Sequence, residues 1–366
     1  MRGRANKKIP KSEDRKMQTS LISSADLKSG YVFRSDIAYD YNVKLEDIEK
    51  DTENFHCDHS YPFLRKNDRL KYSYAPQRPI KKDSQTIDEY NKQIKQFDKE
   101  IKQFNNRKNY VEGCHVKSQY TQMAHYFLLK NTLKANYWYF VSDDDSTIQS
   151  SIFKVFKDEF LIGGATYFTC QYQKDLTLEE AGAESLKRRN ALSRWAKENR
   201  VSESNLYNTA LEKLTYDLHK HKFYTTNNLN GVNYPVRGKN PIEHPLPDKD
   251  EGVRLVNLIS YIYEIPDEEL AKMIMQVNNR SINNLFQTIR RRISILERPL
   301  STARGDGNSY IYANCNPKYA QQILTIFRTF YNFCWTSKLG GEELTPAQKL
   351  GLTDKVFDCK DIIYFR

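Results

Sequence analysis

Three consecutive acids follow a run of apolar and aromatic residues near the middle of the chain. Tyr137–Ser142 is strand-like and leads directly into Asp143, Asp144 and Asp145. Carboxylates at the exposed C-terminal edge of a buried strand are placed to hold a divalent metal ion, which prefers hard oxygen ligands. A further acid, Glu297, lies at the end of a predicted helix rich in arginine. Together these features predict metal-assisted chemistry on a nucleic-acid phosphate.

Helix capping offers a different explanation for part of this acidic cluster. Ser146 and Gln149 have the spacing of a capping box, so Asp145 or Ser146 could start the next helix without any catalytic role. Capping does not account for Asp143, which immediately follows the strand. Glu297 has a structural alternative as well, an ion pair with arginines of its own helix. We take Asp143 and Glu297 as the predicted metal ligands.

Positive charge is concentrated around Glu297. The formal net charge of the chain is +11, which favours a polyanionic partner. The arginines of this region are Arg280, Arg290, Arg291, Arg292, Arg298 and Arg304. Those nearest Glu297 are predicted to contact DNA phosphates. They are Arg290, Arg291, Arg292 and Arg298. For each of them the alternative is a solvated helix face.

Composition limits the class of protein. The chain is 39% hydrophobic and 28% charged, which is typical of a soluble globular protein. Its 366 residues indicate one main domain with either an insertion or a satellite domain. No run approaches the roughly 20 apolar residues that a membrane span needs. The basic N-terminus lacks the apolar segment of a secretory signal. The six cysteines have no paired spacing and are read as reduced thiols of a cytosolic protein.

Hydrophobic periodicity predicts the elements that position these residues. Strand-like runs at 17–24 and 31–39 predict a β-hairpin. Apolar residues at helical spacing predict an amphipathic helix over 120–135, directly before the strand that leads into Asp143. A helix over 147–158 and a buried strand over 165–172 follow that strand, and this order predicts a parallel strand–helix–strand unit.

Further along the chain, the pattern is mainly helical. Apolar residues at heptad spacing predict a helix over 87–104, either packed on its own domain or forming a coiled coil. Residues 174–225 look helical and polar, and a linker rich in Gly and Pro follows. A strand is predicted over 253–263 and the arginine-rich helix over 279–298, ended by Pro299. Pro317 opens a further long helix, predicted to extend to about residue 336.

These elements suggest five segments. Residues 1–16 form a basic, disordered start, and 17–173 form the first part of the core. A helical insertion and linker occupy 174–250. The second part of the core, with the glutamate-bearing helix, covers 251–340, and a C-terminal tail covers 341–366.

Several segments of the chain resemble a bacterial insertion-sequence transposase. The most specific are in the C-terminal third: Ile289–Ala303, Ala313–Pro317, Phe327–Asn332 and Thr345–Leu352. The hairpin at Ser24–Phe33 and the strand edge at Phe140–Ser146 also fit. The resemblance covers most of the chain, although the helix at 81–110 and the insertion at 174–250 match only loosely.

The resemblance implies an RNase-H-like α/β fold, with a mixed sheet flanked by helices, as in DDE transposases and retroviral integrases. Asp143 would be the second catalytic acid, with Asp145 as the fallback for that position, and Glu297 would be the third. Together these acids would bind Mg²⁺ or Mn²⁺. The partners would be double-stranded DNA, at transposon ends and in the target, and further copies of the chain as a homo-oligomer. The location would be the bacterial cytoplasm, with the nucleoid, and no membrane would be involved.

The chain departs from the family pattern at its start. No strand carrying the first catalytic acid precedes the hairpin, since Asp14 lies in a segment that is not strand-like. Asp36 and Asp40 follow a strand after which the family keeps no catalytic acid. A transposase truncated at its N-terminus, lacking the first strand of the sheet, is therefore expected. The alternatives are a catalytically inactive fragment that inhibits by DNA binding or dimerisation, and an RNase-H-like nuclease of another kind.

Overall fold

The computed structural model describes the chain over residues 19–44, 46, 76–106, 113–172, 176–237, 240–246, 252–260, 265–293, 296, 300–301, 308–309, 317–339 and 342–364. These residues form a mixed α/β structure in which helices hold more residues than strands. The chain divides into two compact units. Unit 1 consists of Met1–Leu129 with Ser281–Arg366, and unit 2 is the intervening Lys130–Arg280.

The N-terminal part of unit 1 begins with the predicted β-hairpin. The described elements of this part are β1 (Leu21–Ala25), β2 (Val32–Ile37), β3 (Tyr39–Asp40), α1 (Ile87–Asn106), β4 (Cys114–His115) and α2 (Ser118–Thr132). β1 and β2 pair antiparallel. In their turn, the Asp26 carboxylate accepts a hydrogen bond from the Ser29 backbone N–H at 2.7 Å. Gly30 then adopts a φ of +73°, which glycine reaches without steric cost.

Unit 2 combines a mixed sheet with helices. Its described elements are β5 (Trp138–Ser142), α3 (Ser146–Val155), α4 (Lys157–Leu161), β6 (Ala165–Tyr172), α5 (Leu178–Glu198), α6 (Leu206–Leu218), β7 (Tyr224–Leu229), β8 (Val232–Arg237), β9 (Ile242–Glu243), β10 (Arg254–Leu258) and α7 (Asp267–Gln276). The main sheet has the order β5-β6-β10-β9. β5 and β6 are parallel, which confirms the predicted strand–helix–strand unit, and the other pairs are antiparallel.

Burial within this sheet corrects one expectation. β6 is buried over its first six residues, whereas every residue of β5 is only half-buried. β5 was expected to be a buried strand, but among the described strands it pairs only with β6 and so lies at a sheet edge. Its aromatic side chains still pack: the Phe140 ring lies 4.7 Å from that of Phe156, which is fully buried.

The core of unit 2 lies between the sheet and its helices. Phe168 and Val256 of the sheet pack with Leu214 of α6 and Ile274 of α7, and none of the four is exposed. Beyond α6, the structure differs from the predicted linker. β7 and β8 form an antiparallel hairpin there. Asn230 and Gly231 supply its two-residue turn, so the Gly and Pro content of this segment reflects a β-ribbon and not a loop.

The C-terminal part of unit 1 follows unit 2 along the chain. Its described elements are α8 (Arg280–Arg292), β11 (Leu300–Ser301), β12 (Asn308–Ser309), α9 (Pro317–Phe333), β13 (Ser337–Leu339), β14 (Glu342–Leu344), α10 (Pro346–Lys349) and α11 (Cys359–Ile363). The arginine-rich helix therefore ends at Arg292, not at residue 298 as predicted. Residues 294–295 and 297–299 of the predicted span lie outside the described residues.

The core of unit 1 joins the hairpin to α8 and α9. Val32, Leu285 and Leu324, from β2, α8 and α9, are at most 1% exposed and belong to one apolar cluster. The Asn332 side chain of α9 accepts from the Val32 N–H and donates to the Val32 carbonyl, both at 2.9 Å. Gln321 makes the same kind of pair with the Ile37 N–H and the Ser35 carbonyl. These amides satisfy backbone groups of β2 that would otherwise be buried without partners.

Two further helices follow the sequence pattern. α1 confirms a helix where the heptad spacing predicted one, and α9 confirms the helix that Pro317 opens. The predicted disordered start at 1–16, and Glu297 and Arg298, lie outside the described residues. Over the described part of the chain, no helix combines the length and the apolar character needed to cross a bilayer.

Candidate functional site

The end of β5 is fixed by a short network around Ser142. Its hydroxyl lies 2.6 Å from the hydroxyl of Tyr167 on β6 and donates to the Asp143 carbonyl at 2.7 Å. The Asp145 N–H donates to the same carbonyl at 2.9 Å, which closes a tight turn. The three acids therefore occupy a defined loop at the carboxyl end of a parallel strand, the usual position for ligands in α/β sheets.

Asp145 is the N-cap of α3, as the capping alternative predicted. Its Oδ1 accepts hydrogen bonds from the backbone N–H of Thr147 at 2.7 Å and of Ile148 at 3.2 Å. The Thr147 hydroxyl donates to the same oxygen. This hydroxyl and the two N–H groups hold the pKa of the Asp145 carboxyl below its ordinary value. Capping accounts for the position of Asp145, which weakens its place as the fallback metal ligand.

Asp144 links α3 to the sheet. Its Oδ1 accepts from the side-chain amide of Gln149 at 2.6 Å, and its Oδ2 accepts from that of Gln171 at 2.5 Å. Gln149 lies on α3 and Gln171 on β6, so the carboxylate ties the helix to the neighbouring strand. No local pattern pointed to Gln171, which is 27 positions away. We assign Asp144 an anchoring role.

Asp143 has the least constrained carboxylate of the three. The residue is exposed, and Asn279 donates to its Oδ1 over a long 3.3 Å. Among the described residues, no other side chain makes a hydrogen bond to this carboxylate. An exposed carboxylate offers the oxygen ligands that Mg²⁺ takes, with water completing the shell. Asn279 was not anticipated, because nothing in the sequence relates it to a residue 136 positions away.

No metal centre is found among the described residues. No three His, Cys, Asp or Glu side chains gather in the way a metal ion needs, as far as the described chain extends. The metal-ligand role of Asp143 therefore stays a prediction from the sequence for one position. Glu297 remains a sequence-based prediction for another.

The predicted DNA-binding arginines lie at the end of α8 in unit 1. Leu285 and Ile289 form the buried face of this helix. Arg290 is half-buried, whereas Arg291 and Arg292 are exposed. The Arg292 guanidinium lies over the Trp335 ring, 5.3 Å from its centroid, which is cation–π geometry. Arg291 is therefore the best placed of the three to meet a phosphate.

A buried polar network in unit 1 was not predicted. His125 of α2 is 1% exposed. Its Nε2 lies 2.7 Å from the Ser24 hydroxyl, and its Nδ1 lies 2.7 Å from Oδ2 of Asp36. The Arg34 guanidinium donates to both oxygens of Asp36, at 2.5 and 2.8 Å. Burial opposes ionisation of Asp36, but the hydrogen bonds from His125 and Arg34 outweigh burial and lower its pKa.

Ser24, His125 and Asp36 are arranged like a serine–histidine–aspartate catalytic triad, but the network does not meet the other requirements of one. The serine–histidine and histidine–aspartate distances fit such a triad. However, Arg34 already neutralises Asp36, and the imidazole side chain has no exposed surface. The arrangement joins β1, β2 and α2, and we assign it to the stability of unit 1. Since Ser24 and His125 are 101 positions apart, no local motif could have revealed it.

Comparison of the chain with protein-family models, with curated proteins and with solved structures gives no match. The residues at the end of β5 and on α8 are therefore the basis for assigning chemistry.

Proposed function

We propose that this chain is a DNA transposase of the insertion-sequence DDE class, with an RNase-H-like core. The observation that carries the proposal is the exposed carboxylate of Asp143 at the carboxyl end of β5, next to a parallel strand–helix–strand unit. Asp144 and Asp145 are engaged in hydrogen bonds to α3 and β6, so they support the loop while Asp143 faces solvent. The sequence resemblance assigns the second catalytic acid to this position.

In this proposal, Asp143 is a ligand of Mg²⁺ or Mn²⁺, and Glu297 is a further ligand predicted from the sequence. When bound, the metal would polarise the scissile phosphate and lower the pKa of an attacking water. Water would attack the phosphodiester at a transposon end and release a 3′-hydroxyl. That hydroxyl would attack a target phosphodiester, forming a new strand joint and releasing a target 3′-hydroxyl.

The proposed partner is double-stranded DNA, held in part by Arg291. An exposed arginine on a helix can neutralise a phosphate, and it releases a condensed counterion when it does so. Further copies of the chain are also proposed as partners, since two DNA ends and a target must be handled together. The reaction would take place in the bacterial cytoplasm, at the nucleoid.

The test is Mg²⁺-dependent nicking by the full chain. The substrate is a supercoiled plasmid that carries the genomic segment bearing the gene with its flanking DNA. We expect new 3′-hydroxyl ends at the segment boundaries, made in Mg²⁺ and abolished by EDTA. Asp143→Asn should slow nicking by at least about a hundredfold, since removing a residue that only orients a metal ligand already costs 10–100-fold. Glu297→Gln should do the same.

Asp158→Asn is the matched control, because it makes the same chemical change at an exposed position of unit 2. It should nick at the wild-type rate. Nicking that persists in Asp143→Asn would remove this residue from the reaction. DNA binding without nicking in the wild type would favour an inactive DNA-binding protein instead.

A further inference from the structure

The hairpin of β7 and β8 is a two-stranded ribbon with a tight turn. The strands are antiparallel in register, from Tyr224 opposite Arg237 to Leu229 opposite Val232. Asn230 and Gly231 have φ of +52° and +84°. Positive φ at both central residues is the type I′ turn, whose twist matches that of the strands.

Both faces of the ribbon are exposed over its outer part. Every residue from Thr225 to Asn233 is exposed, and successive strand residues point to opposite faces. Leu229 and Val232, beside the turn, are 62% and 66% exposed. Neither face of this part of the ribbon is therefore used to build the core of unit 2.

The base of the ribbon is nevertheless anchored. Phe223 is 7% exposed and belongs to the apolar core of unit 2. The Asn240 side chain donates to the Lys222 carbonyl at 2.5 Å, across the base of the ribbon. His221 Nε2 lies 3.1 Å from the Asn240 carbonyl. Because its base is anchored and its outer part is exposed, the ribbon is an ordered arm and not a frayed loop.

The ribbon and its flanking residues carry permanent positive charges and no negative ones. From Leu218 to Ile242 the sequence has no Asp or Glu, although the chain as a whole carries 46 acids in 366 residues. At that average, about three acids would be expected in this stretch. The stretch contains four permanent cations: Lys220, Lys222, Arg237 and Lys239. A positive arm without carboxylates complements a polyanion, because no group in it repels phosphate.

The side chains of the ribbon suit the edges of DNA bases. Thr225, Asn227, Leu229 and Val232 lie on one face, since directly opposed and alternate residues share a face. On the other face, Asn228 donates to Asn233 at 2.8 Å. No hydrogen bond engages the Asn227 amide within the described residues. Asparagine can pair with the N6 and N7 edge of adenine, and the Thr methyl can contact thymine.

We propose that the β7–β8 ribbon enters the major groove of double-stranded DNA. That groove accommodates a two-stranded ribbon. Asn227 contacts base edges. Lys220 and Lys222 at the base of the ribbon, whose ammonium groups lie 4.9 and 5.9 Å from the Tyr216 and Tyr224 ring centroids, contact phosphates in place of those rings. This role of the ribbon rests on the proposed function in one respect: the DNA that the ribbon binds is taken to be the DNA that the transposase cuts. It adds a recognition element that lies apart in sequence from both the acids and the arginines of α8.

The test measures DNA binding by the full chain in EDTA, so that no cleavage can occur. The probe is a fluorescein-labelled, mixed-sequence duplex of about 30 base pairs, followed by fluorescence anisotropy over a range of salt concentrations. A double change, Lys220→Gln with Lys222→Gln, should weaken binding at least tenfold. It should also reduce the slope of log K against log salt by about 0.9 for each phosphate that the variant no longer neutralises. Lys187→Gln with Lys197→Gln, at exposed lysines of α5, is the matched control and should bind as the wild type does.

Two further measurements examine the groove and the base contact. Methyl green, a major-groove ligand, should displace the protein, whereas the minor-groove ligand distamycin should not. In selection from a random duplex library, Asn227→Ala should lose an adenine preference that the wild type has, with little change in affinity for the mixed probe. The reverse groove pattern, or an unchanged selection, overturns the proposal.

The outcomes separate this inference from the proposed function. If the wild type binds and nicks DNA while the ribbon variants bind normally, the ribbon proposal fails and the transposase proposal stands. If ribbon variants lose binding and Asp143→Asn binds normally, the ribbon proposal is supported whether or not the wild type nicks. If the wild type binds no duplex, or prefers a single strand of the same sequence, the ribbon proposal fails.

Discussion

The Nδ1 atom of His125 lies 2.7 Å from Oδ2 of Asp36, in the interior of unit 1. The same ring approaches the Ser24 hydroxyl on its other side, so one imidazole joins the helix α2 to both strands of the first hairpin. A buried polar side chain of this kind stabilises only while each of its partners is present, because an orphaned buried group is costly.

Replacing His125 should therefore destabilise unit 1. We expect His125→Leu to lower the free energy of unfolding by about 2–3 kcal/mol, since it removes two buried hydrogen bonds, leaves the Ser24 hydroxyl without this partner and leaves Asp36 with Arg34 alone. Urea unfolding followed by circular dichroism would measure the change.

His219→Leu is the control at a histidine whose side chain is 58% exposed. It removes only a surface ion pair with Asp267, so it should change stability by less than about 1 kcal/mol. Equal effects from both changes would contradict a stabilising role for the network.

Loss of the cap at Asp145 should weaken α3. Asp145→Ala removes the acceptor for two backbone N–H groups and should cost about 1 kcal/mol, whereas Asp145→Ser should restore most of it. Thermal unfolding of the three proteins would show the order wild type, Ser, Ala. Asp158→Ala, in the first turn of α4, caps nothing through its side chain and should have a smaller effect. A stable Asp145→Ala protein with altered metal response would instead return Asp145 to the metal site.

His244 should make stability depend on pH. Burial and the nearby positive charge of Arg254 lower its pKa from 6.5 to about 4. Between these two values the unfolded chain binds a proton at this position that the folded chain does not. Stability from this residue is therefore complete above about pH 6.5 and is lost as the pH falls towards 4, by roughly 3 kcal/mol in all.

The measurement is urea unfolding at pH 7 and at pH 4.5, for the wild type and for His244→Gln. The glutamine side chain can still donate and accept hydrogen bonds but does not titrate in this range. The variant should lose less stability between the two pH values than the wild type does. An identical loss in both proteins would show that His244 does not control the acid response.

Arg291 should contribute to DNA binding without contributing to the fold. Arg291→Gln removes an exposed charge and should reduce the salt slope of duplex binding by about 0.9. Arg292→Gln also removes the cation–π interaction with Trp335 and should lower stability slightly as well. Fluorescence anisotropy and urea unfolding of both variants test this pair of expectations. Arg189→Gln, at an exposed arginine of α5, is the control; a solvated helix face at Arg291 would give the control's result.

Local patterns in the sequence predicted the elements that depend on local chemistry. The strand before Asp143, the cap at Asp145 and the turn at Asp26 follow from short runs of apolar, capping and turn residues. The ribbon at 224–237 carried such a signal too, since Asn230-Gly231 is a strong turn dipeptide. β7 shows no alternation of apolar residues. Val232, Tyr234 and Val236 of β8 do alternate, but the Gly and Pro residues of this segment favoured a linker.

Contacts between residues far apart in the sequence could not be predicted from local patterns. Nothing in the sequence pairs Gln171 with Asp144 or Asn279 with Asp143, and these contacts distinguish the anchoring acid from the exposed one. Position within the sheet was also missed. The apolar run of β5 suggested a buried strand, but its neighbours decide its exposure, and composition alone does not specify them.

The division of unit 1 into two stretches of chain has a consequence for synthesis. Asn332 holds the backbone of Val32, which the ribosome made 300 residues earlier. Unit 2 can close its core once Arg280 has emerged, but the first hairpin must wait for α9. At about 5–20 residues per second, that delay is on the order of tens of seconds. During that time the apolar side of the nascent hairpin faces water, where chaperones can reach it.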